Sequence, residues 1–269
     1  MAELLREWNQ LDAAYEHAKI GDDFRKRLGG YLMVGDLALI RIHQARGDTE
    51  NALNALHNAE QIMGVHQIQM AIQIAFNTSE VISRLSMGDL ETARHFTKKC
   101  DGGTEREQIA LARFYIAQGQ PEEARRLMDQ QAKLAKEGGR IGRLIEILSL
   151  QAIAMKMQDQ VDSAQETLFQ ALSLARPQGY MRIFLDLGLP LYQLLELIAS
   201  SMKADKKPKT PVERVIGDYV NQLIKAFEQD GDLRITNNNQ SLISPLTDRE
   251  IEVLEYLAKG FSNKEIAEQ

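Results

Sequence analysis

The chain has 269 residues, 44% of them apolar and 26% charged, a balance that suits one or two soluble domains with a real core. Aromatic residues make up only 6%, which favours helices over a sheet, and a net charge of −6 argues against nonspecific binding of nucleic acid or anionic membrane by the body of the protein. No signal peptide leads the chain, no apolar run reaches transmembrane length, and the single Cys100 excludes an intramolecular disulfide framework, so a reducing cytoplasm is the expected home.

An internal repeat organises residues 1–200. Four stretches align as ARGDTENA (45–52), SMGDLETA (86–93), AQGQPEEA (117–124) and MQDQVDSA (157–164), each read as a turn joining two helices. Gly47, Gly88 and Gly119 take the third position, Asp159 replaces glycine in the fourth, and Ala52, Ala93, Ala124 and Ala164 follow five residues later. Glycine closes the first helix in a left-handed cap, a polar residue opens the second, and small residues let the two helices cross closely. The pattern resembles the tetratricopeptide repeat. Its spacing departs from that family: the turns fall at 47, 88, 119 and 159, intervals of 41, 31 and 40 residues against a usual period of about 34. Longer helices with irregular loops are implied, such as the polar stretch 101–105 and the break at Gly138 and Gly139. The expected fold is all-α, a tetratricopeptide-like helical-repeat solenoid, or α-α superhelix, followed by an incomplete helix-turn-helix.

The first helices of tetratricopeptide pairs line a concave groove. Carried onto this chain, the resemblance puts Arg41 and Arg113 at one groove position and Gln44 at another, with Ile82, Ile153 and Leu85 apolar at the equivalent places. It implies a small-molecule effector or a regulatory protein as partner on this face, and an anionic or hydroxyl-bearing ligand fits the arginines. The alternative leaves both arginines solvated or paired with glutamates of the outer helices.

Residues 171–198 read ALSLARPQGYMRIFLDLGLPLYQLLELI, in which Phe184, Leu185 and Leu189 suit a core and Gly188-Leu189-Pro190 a turn. Lys203, Lys206, Lys207 and Lys209 with Pro208 and Pro211 make 201–211 a basic, proline-broken linker, a solvated tether rather than a nucleic-acid patch. Over 212–229, Val212, Val215, Ile216, Tyr219, Val220, Leu223, Ile224 and Phe227 recur at intervals of three and four, predicting an amphipathic helix that docks on the solenoid or receives a partner helix. Residues 230–245, rich in Asn, Gly and Ser, read as a flexible connector.

The last stretch, 246–269, is LTDREIEVLEYLAKGFSNKEIAEQ. Thr247 and Glu250 form a capping-box pattern ahead of Ile251, Leu254, Leu257 and Ala258; Gly260 ends that helix, and Ser262 or Asn263 can cap a second bearing Ile266 and Ala267. The segment resembles the LuxR-type helix-turn-helix. In that arrangement the helix that reads DNA follows the point reached by Gln269, so the expectation is a truncated motif in which only Asn263 and Lys264 are candidates for phosphate contact. Acidic residues outnumber basic ones here, which disfavours DNA affinity. With the repeats and the segment Gly179, Tyr180, Arg182, Phe184, Leu185, Asp186, Gly188, the tail makes the chain resemble the C-terminal part of the large MalT-like, ATP-dependent LuxR-type transcriptional regulators.

The resemblance implies a cytoplasmic regulatory fragment that senses an effector or a partner, with DNA as partner of the intact regulator but not, sequence-specifically, of this fragment. No membrane partner is expected. No catalytic constellation emerges: there is no phosphate-binding loop sequence, and His17, His43, His57, His66 and His95 lack metal-ligand spacing. Neither an enzyme nor a metal site is expected, and ATP is implied only for an N-terminal module absent from this sequence. A tetratricopeptide-like adaptor that binds a partner protein is the alternative.

Overall fold

The computed structural model describes residues 1–28, 34–65, 70–204 and 210–230, which are helical with no strand among them. They run as successive helix pairs: α1 (Ala2–Glu7) with α2 (Leu11–Leu28), α3 (Val34–Ala45) with α4 (Thr49–Val65), α5 (Met70–Ser86) with α6 (Leu90–Thr97), α7 (Glu105–Ala117) with α8 (Pro121–Glu137), and α9 (Ile141–Met157) with α10 (Val161–Ala175). A 3-10 turn at Arg176–Gln178, α11 (Arg182–Leu185), α12 (Gly188–Ala204) and α13 (Pro211–Gln229) complete the described chain.

One turn geometry joins the two helices of every pair. Gly47, Gly88 and Gly119 have φ between 67° and 75°, and Asp159, where glycine is missing, is held at 59°. In each turn the next amide reaches back five residues: Asp48 to the His43 carbonyl (2.9 Å), Asp89 to Arg84 (2.8 Å), Gln120 to Tyr115 (2.9 Å) and Gln160 to Met155 (2.9 Å). This is the Schellman closure, which satisfies carbonyls that the helix end leaves bare. The α1–α2 turn is built identically: Asn9 has φ 58°, Gln10 N donates to Leu5 O at 2.9 Å, and Ala14 follows Asn9 by five residues. There are thus five pairs among the described residues, and a pattern keyed on glycine passes over the first. Ala14, Ala52, Ala93, Ala124 and Ala164 are each at most 1% exposed, so no larger side chain fits where the paired helices cross.

Helix starts follow capping chemistry. Asp89 caps α6 by accepting from Thr92 N at 3.0 Å. Thr104 with Glu107 and Thr210 with Glu213 form capping boxes at α7 and α13, and Pro121 and Pro211 open their helices. Apolar clusters follow one another along the stack, the largest shared by α9, α10, α11, α12 and α13. Leu191, Leu194 and Leu195 of α12 meet Val220, Leu223 and Phe227 of α13 there.

Several boundaries differ from the sequence reading. Gly188, at φ 63°, and Pro190 open α12 instead of forming a separate turn, and α12 runs on to Ala204, past the expected domain end at 200. Asp230, expected in the connector, is tied to the repeat body by an ion pair with Arg182. Val212 is exposed while Ile216, Tyr219, Val220, Leu223 and Phe227 are buried, so the packed stripe of α13 starts a turn later. Lys206, Lys207, Pro208 and Lys209, and the whole of 231–269 with the helix-turn-helix, lie outside the described residues. Cys100 is buried, and burial, with Glu107 and Asp101 nearby, pushes its thiol up to about 11. An unreactive, space-filling role follows.

Candidate functional site

The functional surface starts with a seam between the two ends of the repeat body. Met181 N donates to the Glu7 carbonyl at 2.7 Å, and Trp8 Nε1 donates to the Gln178 carbonyl at 3.0 Å. Trp8 lies against Gly179, where a Cβ would sit 3.7 Å from its ring; at φ 66° that residue also needs glycine's backbone freedom. Helix α1 therefore meets α11, and the first helices form a closed circuit instead of an open crescent.

Charged side chains lock this seam. Arg6 and Arg182, 2% and 1% exposed, both meet the Asp186 carboxylate, Arg182 at 2.8 Å. Arg182 also pairs with Asp230, and Arg6 with Glu7 at 3.1 Å. Burial alone would raise the pKa of Asp186, but Arg6 and then Arg182 overcome it and hold the carboxyl well below the usual carboxylate range. Glu7 behaves oppositely: desolvation exceeds the pull of Arg6 and raises its pKa, and its Oε2 is buried without a hydrogen-bond partner.

Next to the seam lies a cavity of about 100 Å³. Its walls come from α1, α3, α5, α7 and α9, the first helix of every pair, and from Arg182 and Asp186 of the closing segment. Six arginines line it (Arg6, Arg41, Arg106, Arg113, Arg143 and Arg182) against two carboxylates, Glu146 and Asp186. Glu146 accepts from Arg113 and Arg143, each at 2.9 Å; burial opposes its ionisation, but these two arginines lower its pKa. Thr78, Ser79 and Ser86 supply hydroxyls from α5, and Ile82 and Ile109 supply apolar wall.

The structure brings together the three groove residues named from sequence: Arg41, Gln44 and Arg113 all line this cavity. Arg41 pairs with Glu3 at 2.6 Å and Glu7 at 3.6 Å, Gln44 donates to the Ser83 hydroxyl, and Arg113 donates to Glu146 and, at 3.1 Å, to the Asp186 carbonyl. The arginines thus pair with carboxylates of other first helices, not with glutamates of the outer ones. Ile82 lines the cavity as expected from its position, but Ile153 is buried in the cluster that α11 and α12 build against α9. The closing helices cover the last pair, so its groove position becomes core. Sequence reasoning missed Arg6, Arg106 and Arg143 as lining residues. Arg6 was legible through the Asn9–Ala14 spacing, whereas Arg106 and Arg143 lie one or more turns upstream of the positions considered. Asn263 and Lys264 lie outside the described residues. Among the described residues no cluster could hold a metal ion, and no helix is long and apolar enough to cross a membrane.

Residues 1–201 match the family model described as the MalT-like TPR region, and residues 244–269 match that of bacterial regulatory proteins of the luxR family. Neither matched region is a catalytic one. The chain is 25% identical over 288 residues to the HTH-type transcriptional regulator MalT of Vibrio campbellii and 26% identical over 289 residues to that of Serratia proteamaculans. A third such regulator, from Klebsiella pneumoniae, is 25% identical over 290 residues. These alignments cover 99–100% of the chain but only 31% of each relative.

Proposed function

The chain belongs to the MalT-like TPR family and is part of a LuxR-type transcriptional regulator, and from this we propose that residues 1–233 receive a chemical signal in the groove of the first helices and pass it to the DNA-binding segment that follows. The observation that carries this reading is the cavity itself. Every helix pair contributes to it, and it opens among charged side chains that also hold Asp230, the last described residue before the head. A ligand that displaces or recruits one of those side chains changes the exit of the chain. The intact regulator works in the cytoplasm, binds DNA through its LuxR-type segment and uses ATP.

The test is made in the intact regulator. Arg41→Ala with Arg113→Ala, at unchanged helicity by circular dichroism, is expected to lower effector-dependent transcription by about tenfold or more, a loss of about 1.4 kcal/mol in coupling. A full response from the double variant would retire the sensing role. For the 269-residue polypeptide alone, gel shift is expected to show no sequence-specific DNA binding even at low salt, because acidic residues outnumber basic ones over 246–269. A specific, salt-sensitive shift on one promoter would overturn that expectation.

A further inference from the structure

The cavity carries more positive charge than its own ion pairs use. Five of its six arginines meet carboxylates: Arg6, Arg41, Arg113, Arg143 and Arg182. Arg106 makes no ion pair or hydrogen bond among the described residues. Desolvation, followed by repulsion from Arg143 and Arg41, lowers its pKa. A guanidinium nevertheless stays charged at any physiological pH, so like charges face one another across the cavity. Arg113 adds a second signal: its Nη atoms are engaged by Glu146 and the Asp186 carbonyl, while its Nε is buried with no hydrogen-bond partner. Five of the six guanidinium groups are balanced by carboxylates in or beside the cavity, Glu3, Glu7, Glu146, Asp186 and Asp230, so the charge left without a counter-charge is that of Arg106.

The other polar wall has the complementary character. The hydroxyls of Thr78, Ser79 and Ser86 donate to backbone carbonyls of α5, of Ile74, Ala75 and Ser83. Their protons are used, which leaves their oxygens as acceptors. One side of the cavity thus offers charged N–H donors and the other offers hydroxyl acceptors. The space of about 100 Å³ among these side chains is enough to seat an oxyanion group, and the cavity is open on one side for the rest of a ligand. The donors on one wall and acceptors on the other suit an oxyanion carried on a hydroxylated stem.

We propose that this cavity binds a small metabolite bearing both an oxyanion and free hydroxyl groups, a hydroxycarboxylate or a short polyol phosphate. Arg106, Arg113 and Arg143 hold the oxyanion in charge-assisted hydrogen bonds, and the α5 hydroxyl oxygens accept from the ligand's hydroxyls. The assignment rests on the sensing role proposed for the cavity and narrows it to a chemical class.

Calorimetric titration and thermal melting of the 269-residue protein, at fixed ionic strength, test it with inorganic phosphate, glycerol 3-phosphate, glycerate and neutral glycerol. At least one of the anions is expected to bind and raise Tm, glycerol is expected to do neither, and the relative strength of the phosphate ester and glycerate identifies the oxyanion. Arg106→Ala removes no ion pair and is expected to melt as the wild type does, yet to weaken the anion by about tenfold, with Arg106→Lys recovering part of the loss. Three outcomes overturn the proposal: no heat and no Tm shift with any anion up to about 10 mM, equal anion affinity in wild type and Arg106→Ala, or glycerol binding as tightly as the anions. Any of these leaves the transcriptional test of Arg41 and Arg113 standing on its own. Conversely, anion binding in a regulator whose response ignores those arginines keeps the site and removes the sensing role.

Discussion

Asp186→Asn is expected to lower the free energy of unfolding by about 3–5 kcal/mol in urea denaturation, the size of effect seen when one partner of a buried ion pair is removed. The carboxylate of Asp186 sits between two guanidinium groups, those of Arg6 and Arg182, that are 2% and 1% exposed. The amide keeps the shape but not the charge, leaving Arg6 to Glu7 and Arg182 to Asp230. The same change is expected to flatten the response to acid. Because the folded-state pKa of Asp186 lies below its unfolded value, its contribution is fully present above the unfolded pKa of about 4 and is lost as pH falls below it. Glu146, also lowered, contributes with the same sign, and Glu7, which is raised, with the opposite one. Wild-type stability should therefore fall between about pH 5 and pH 3, and the fall should be visibly shallower in Asp186→Asn. Equal slopes, or a loss under about 1 kcal/mol at neutral pH, would show that the seam carries little of the stability.

A loss of similar size, about 3–5 kcal/mol, is expected for Phe227→Ala. The ring is fully buried between α12 and α13 and meets Tyr192 edge-on at a centroid distance of 5.7 Å. Around it, Leu223 and Val220 are fully buried, and the Tyr219 hydroxyl donates to the Tyr180 carbonyl. Truncation removes apolar area and leaves a void that these well-packed neighbours cannot close. Equilibrium denaturation followed by circular dichroism measures it. A single transition with a lower midpoint and unchanged slope is the expected form, whereas early, separate loss of one helix would mean that α13 is only loosely docked.

The elements that could be read from sequence are those whose signals are local. A glycine with an alanine five residues on marks a left-handed cap and a close crossing, and Gly47, Gly88 and Gly119 stand at such turns; so does Asp159, without glycine. The α13 stripe is legible for the same reason, as period and burial coincide along one helix. The first pair escaped because Asn9 takes the left-handed position. That omission also hid the partners of Arg41, Glu3 and Glu7, which lie on α1. Arg182 and Asp186 were visible as members of a family segment, but not as half of a buried network, since the other half, Arg6, lies 180 residues from Asp186. Charge pairing between distant helices has no period, and nothing along the chain announces it. Ile153 shows the converse limit: its repeat position is that of Arg41, yet the closing helices make it core.

The meeting of α1 with α11 changes how the repeat body can come apart. A linear stack of repeats loses structure from its ends, because a terminal unit has one neighbour where an inner one has two. With Trp8 bonded to Gln178 and Met181 to Glu7, the terminal units gain their second neighbour from each other, and unzipping has no end from which to begin. Opening any pair then requires breaking two interfaces, so backbone amides of α1 exchange with solvent at a rate closer to that of global unfolding than to end fraying. The cost is kinetic: contacts between residues 170 to 180 positions apart close last, and the ring forms more slowly than an open array of the same helices.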